Sequence, residues 1–167
     1  MITFYYEIPK LINRIEVDIL LYLKKLENED GLPDFEESSA GTEDEKLLRL
    51  LLKNVANEIY GTLSPYSRGL AELDTPLEGF EFEATFETRN DCIIFRILKP
   101  TYWDETMQSP LENAIENTLI HYTVKEWLRK NNVKDYEIHH DLYLRGKEDI
   151  LNYLNRRTKI KRIYKLY

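Results

Sequence analysis

Residues 109–132 read SPLENAIENTLIHYTVKEWLRKNN, and residues 135–157 read DYEIHHDLYLRGKEDILNYLNRR. The first stretch opens on a helix start, with Ser109 at the N-cap position, Pro110 at the first helical position and Glu112 at the third. Leu111, Ile115, Leu119, Tyr122, Trp127 and Leu128 then recur at helical spacing and predict a helix to about Lys130. Asn131-Asn132 supplies turn chemistry. Tyr136, Ile138, Leu142, Tyr143, Ile150, Leu151 and Leu154 predict a last helix from about Asp135 to Arg157. So short a turn makes the two helices an antiparallel hairpin, and the fold is helical at its carboxyl end.

Two more helices are legible upstream. Ile8, Leu11, Ile12, Ile15, Ile19, Tyr22, Leu23 and Leu26 form one apolar face, predicting a helix over about 9–27 with Pro9 in its first turn. Thr42-Glu43-Asp44-Glu45 is a capping box with its acids at the positive end of the helix dipole. Leu47, Leu48, Leu51, Leu52, Val55, Ile59, Tyr60 and Leu63 follow it, and Pro65 ends that helix near Ser64. Between them, Glu27 to Glu45 holds nine acids and no Lys or Arg, which reads as a solvated acidic loop. Leu70, Ala71 and Leu73 suggest one short helical turn before Pro76.

From Gly79 the period falls to two. Phe80, Phe82, Ala84 and Phe86 alternate with Glu81, Glu83, Thr85 and Glu87, which predicts a strand with one buried and one acidic face. Asn90-Asp91 turns the chain, and Cys92 to Leu98 returns as a second strand, giving a β-hairpin over 79–99. A hairpin alone is marginal in water, so this one must lie on the helices or pair with a neighbour's strand. The expected fold is mainly α with a β-hairpin (α+β): a bundle of about four helices carrying a two-stranded antiparallel hairpin. Residues 1–155 form one domain, and 156–167 a separate basic-aromatic arm.

Composition bounds the function. The chain has 167 residues and a formal charge of −7, and its last twelve residues contribute +6, which leaves −13 for everything before them. Arg156, Arg157, Lys159, Lys161, Arg162 and Lys165 are interleaved there with Ile160, Ile163, Tyr164, Leu166 and Tyr167. An acidic body argues against non-specific nucleic-acid coating except at this tail. The single cysteine, Cys92, excludes an internal disulfide framework and argues against a thiolate zinc site. The first residues lack the basic and apolar regions of a signal peptide, and no run is long enough to span a bilayer, so a soluble protein of a reducing cytoplasm is expected.

Groups for chemistry are sparse. With the turn centred near 132–133, His121 and His139 are offset by about five residues, or roughly 7 Å at helical rise, which is no tight ligand cluster. His139, Glu126 and Asp135 form the best metal-ligand combination, and it is a poor one. Asp104 and Glu105 beside Trp103 are an isolated carboxylate pair; an enzyme would need them to converge with His121 in a deep pocket. The sequence offers no hint of an activating base for Cys92, and the six glycines are too scattered for a phosphate loop. No cofactor is implied. The tail is the better candidate site, since cations among aromatics contact phosphates and stack on bases, or seat in an acidic groove on another subunit. The acidic loop is a candidate complement to it.

Three stretches carry a family resemblance: Leu98-Lys99-Pro100-Thr101-Tyr102-Trp103-Asp104; His121-Tyr122 through Glu126-Trp127-Leu128; and Leu154-Asn155-Arg156-Arg157-Thr158 with its basic-aromatic finish. Together with the element order, they make residues 80–167 resemble head–tail connector (adaptor) proteins of tailed phages and prophages. The β-hairpin and the long acidic loop depart from the simplest helical adaptors. The resemblance implies a non-enzymatic virion assembly subunit, made in the bacterial cytoplasm and carried into the virion. Its partners would be portal, tail or neck proteins and copies of itself in a ring, with no membrane. Partner-binding residues would be Arg156, Arg157, Lys159, Lys161, Arg162, Tyr164, Lys165, Tyr167 and Trp103. The alternative is a small nucleic-acid-associated module that uses the same tail.

Overall fold

The structure, a computed structural model, describes residues 1–30, 42–66, 91–131, 133 and 136–158. Its elements are β1 (Ile2–Glu7), α1 (Ile8–Asp30), α2 (Thr42–Leu63), β2 (Cys92–Ile97), α3 (Gln108–Lys130) and α4 (Glu137–Asn155). Among the described residues it is therefore four helices with a two-stranded antiparallel sheet, the α+β class expected. Helix α2 starts at Thr42, where the capping box sits, and ends at Leu63, before a 3-10 turn that contains Pro65.

The sheet's pairing was not legible. β2 pairs with the amino-terminal strand β1, in antiparallel register from Ile2 opposite Ile97 to Glu7 opposite Cys92. The strand expected over 80–86 and the short turn at 70–73 lie outside the described residues. The signal for β1 was present: Ile2, Phe4 and Tyr6 are buried while Tyr5 and Glu7 are exposed, a period of two over six residues. The chain then switches directly into α1, and the Ile8 amide donates to the Asp91 carbonyl at 2.7 Å.

Three boundaries differ from expectation. Helix α1 continues to Asp30, so Glu27–Asp30 are helical and the acidic loop is shorter than 27–45. Helix α3 begins at Gln108, and no side chain caps it; the capping oxygen belongs instead to Asp104, one short turn earlier. Helix α4 ends at Asn155, so Arg156 and Arg157 lie beyond it, and Arg156 is already extended.

Helix α3 is the centre. Buried residues occur round most of its circumference, including Leu111, Ile115, Leu119, Val124 and Leu128. Its buried hydroxyls are satisfied within the helix, Thr118 donating to the Ala114 carbonyl at 2.6 Å and Thr123 to that of Leu119 at 2.8 Å. The sheet packs its apolar face into the same core, and the Tyr6 hydroxyl donates to the Glu112 carbonyl at 3.0 Å. Arg49 on α2 reaches both Asp91 oxygens, at 2.9 and 3.3 Å, and so ties α2 to the start of β2.

Helices α3 and α4 are in close contact at Gly146. A Cβ there would run into the Thr118 Oγ1, so a side chain fits only if the Thr118 hydroxyl turns away from its bond to Ala114 or the helices part. Gly146→Ala is therefore expected to destabilise the fold by about 1–3 kcal/mol in urea unfolding. In a Thr118→Ala background the same change should cost much less, because the opposing atom is gone. Equal costs in both backgrounds would show that the contact does not limit the packing.

Candidate functional site

The carboxyl arm leaves the bundle through a knot of backbone bonds. Pro100 to Trp103 form a tight turn, closed by the Trp103 amide donating to the Pro100 carbonyl at 3.0 Å. Tyr102, its third residue, has φ 59°, a left-handed conformation that costs a non-glycine residue roughly 1–2 kcal/mol. Its carbonyl accepts twice from Thr158, from the amide at 2.8 Å and from the hydroxyl at 3.1 Å. Trp103 pairs with Arg157 in an antiparallel bridge, and the Asp104 amide donates to the Arg156 carbonyl at 3.2 Å. The chain from Arg156 to Thr158 thus lies as a short strand along residues 102–104.

Side chains lock the same place. Trp103 is 5% exposed, and its indole N–H donates to the Tyr153 carbonyl at 2.8 Å. The Arg157 guanidinium donates to the Leu154 carbonyl at 2.7 Å and so satisfies a free carbonyl in the last turn of α4. Tyr66 donates to the Asn155 side chain at 2.8 Å. Trp103 was expected to anchor packing or contacts with a partner; its ring is buried here, and its work in the fold is to fix the root of the arm. The aromatic that faces solvent here is its neighbour Tyr102, 63% exposed. Arg156 and Arg157 stand at the root, also exposed, while Lys159, Lys161, Arg162, Tyr164, Lys165 and Tyr167 lie outside the described residues.

The carboxylates beside Trp103 are structural. Asp104 accepts from the Thr106 hydroxyl at 2.7 Å and its amide at 3.1 Å; these bonds, with Arg156 nearby, hold it below the usual carboxylate range. Glu105 pairs with Lys99 at 2.8 Å, which lowers it likewise. Neither converges with His121, whose partner is elsewhere. A groove of about 240 Å³ lies along β1, α1 and α3, lined by residues that include Tyr5, Glu7, Lys10, Glu112 and Glu116, and contains none of the three.

His121 and His139 are closer than helical rise suggested: their Nδ1 atoms lie 3.3 Å apart, and Tyr22 sets its ring edge-on to His139. The axial offset is about one turn, and two imidazoles reaching toward each other close it. Burial holds both below the usual histidine range. Asp18 opposes this for each, Arg14 adds to it for His121, and His121 adds to it for His139. Glu126, a candidate ligand for the same metal, is engaged by Lys125 at 2.9 Å and Arg129 at 2.6 Å. Burial pushes its carboxyl up, but these two cations outweigh that and keep it ionised. Asp135 lies outside the described residues, among which no three His, Cys, Asp or Glu side chains converge. Cys92 is a half-buried free thiol opposite Glu7.

No helix among the described residues is long and apolar enough to cross a membrane. Comparison with protein-family descriptions, with curated proteins and with solved structures finds no match to this chain.

Two outcomes follow from this geometry. Trp103→Phe keeps most of the ring but leaves the Tyr153 carbonyl only the long bond from the Arg156 amide, at 3.4 Å. It should cost about 1–2 kcal/mol in urea unfolding and speed amide exchange at Thr158; exchange as slow as in the wild type would sink the clamp. The histidine pair makes stability pH-dependent. Its folded-state values are depressed, so its contribution is complete above the ordinary histidine value of about 6.5 and is lost as pH falls below it. The urea midpoint should therefore fall on acidification more steeply for the wild type than for His121→Asn/His139→Asn. Parallel pH profiles would count against the pair.

Proposed function

We propose that this protein is a non-enzymatic assembly subunit that docks on neighbouring proteins through its basic carboxyl arm, of the head–tail connector type that residues 80–167 resemble. The observation that carries this reading is the clamp on Arg156–Thr158. An arm that docks needs a fixed point of departure, because each residue ordered on binding subtracts from affinity. Here three backbone bonds and a buried indole hold the root, so the nine residues that follow start from one place and one direction. Their cations suit an acidic partner surface, and Tyr102 beside the root adds an exposed aromatic of the kind favoured in contact hot spots. Portal, tail or neck components, and other copies of the chain, are the partners the reading implies.

A chain ending at Thr158 tests it, because it keeps the clamp and removes only the arm. Its far-ultraviolet circular dichroism should match that of the full chain. In cells that encode the protein, tagged full-length chain should co-purify with phage particles or their connector intermediates, and the shortened chain should not. Normal incorporation of the shortened chain would overturn the role of the arm. Failure of the full chain to co-purify, together with steeply salt-dependent binding to plain duplex DNA, would favour the nucleic-acid module instead.

A further inference from the structure

The outward faces of α1 and α4 carry opposite charge on matching seams. On α1, Lys10, Arg14, Val17, Leu21 and Lys24 follow one another at steps of four and three residues, and all five are exposed. On α4, Glu137, Asp141, Leu144, Glu148 and Leu151 follow at the same steps, again all exposed. Steps of four and three keep a row on one side of a helix, the pattern by which two helices lie together lengthwise. The α1 seam has no acid and the α4 seam has no base. Each also has apolar side chains in the open, Leu21 at 62% and Val17 at 47% on α1, and Leu144 at 43% and Leu151 at 38% on α4. Lys10 and Arg14 have ion-pair partners in Glu7 and Glu116, but at exposed positions such pairs contribute little and exchange readily.

We infer that the α1 seam of one copy docks on the α4 seam of a second copy. Charge selects this pairing over the alternatives. Two α1 seams would oppose cations, and two α4 seams would oppose acids. Laid together in either direction about a Val17–Leu144 contact, the unlike seams form two acid–base pairs: Arg14–Asp141 and Lys10–Glu137 if parallel, Arg14–Glu148 and Lys24–Glu137 if antiparallel. The contact joins different faces of the two copies, so it repeats from copy to copy, giving a ring when the rotation closes and a filament when it does not. It goes beyond the reading of the chain as an assembly subunit, since it uses no residue of the arm.

Sedimentation equilibrium of the full chain, from roughly 10 µM to 1 mM, tests this at the weak end of the interface range. Wild type should associate beyond a dimer with rising concentration, and several-fold more weakly in high salt. Val17→Glu and Leu144→Gln each spoil one seam at an exposed position. Each alone should associate at least about tenfold more weakly. Mixed in equal amounts they should form a heterodimer and nothing larger, because one copy still offers α4 and the other α1. The chain ending at Thr158 should associate like wild type, which separates failure of this contact from failure of the arm. A wild type that stays monomeric, a single variant that associates undiminished, or a mixture that stays monomeric would each overturn the proposal.

Discussion

The approach of α4 to α3 over Gly146 is the constraint on which the rest of the molecule depends. With no Cβ in the way, α4 lies close enough for Tyr143, Ile150 and Leu154 to be buried with the core of α3. That seating brings Tyr143 to Glu58 on α2 and places Lys125 over the Tyr122 and Tyr143 rings, at 4.6 and 5.1 Å. A buried lysine is tolerable here because two aromatic faces and Glu126 together replace its water. The same seating sets where α4 ends, and hence where the Tyr153 carbonyl meets the Trp103 indole. A packing contact in the middle of the bundle therefore sets the point from which the arm departs.

Much of this was legible in the sequence where one local signal sufficed. The helices announced themselves by apolar periodicity, and α2 by its capping box. What was not legible depended on partners distant along the chain. The strand at Cys92–Ile97 was recognisable, but pairing is set by tertiary packing, and the apolar alternation of Ile2, Phe4 and Tyr6 competed with a nearer run at 80–86. Ser109 and Pro110 looked like a helix start, yet α3 begins two residues earlier because the preceding 3-10 turn, capped by Asp104, feeds straight into it. The histidine contact was missed because a count of axial rise leaves out how far two side chains reach.

For the candidate site, the sequence singled out Trp103 and the arm but not the link between them. They were singled out separately, as an anchor for packing or contacts and as a basic tail. Their connection, the Trp103–Arg157 bridge, spans more than fifty residues and leaves no trace in local pattern. One hint was available: a tryptophan in a short loop needs somewhere to bury its ring and a partner for its N–H, and the end of a neighbouring helix offers both a crevice and a free carbonyl. Charge asymmetry was also read correctly as far as it went, but only as tail against body. The helices described here divide charge a second time, between the outward seams of α1 and α4, and that division needs known helical phase to be seen.

Tyr102 shows how the clamp sustains itself. A left-handed tyrosine would relax in an isolated turn, because a two-bond reward is needed to hold it. The reward comes from Thr158, whose amide and hydroxyl both end on the Tyr102 carbonyl. The strained turn keeps that carbonyl pointing at the departing chain, and the departing chain keeps the turn strained, so neither is stable in this form without the other. A pull on the arm is then transmitted first to the loop at 100–104 and through Trp103 to the core, rather than being lost in a frayed helix end. In the docking role we propose for the arm, such a connection would turn tension on it into strain on the bundle itself.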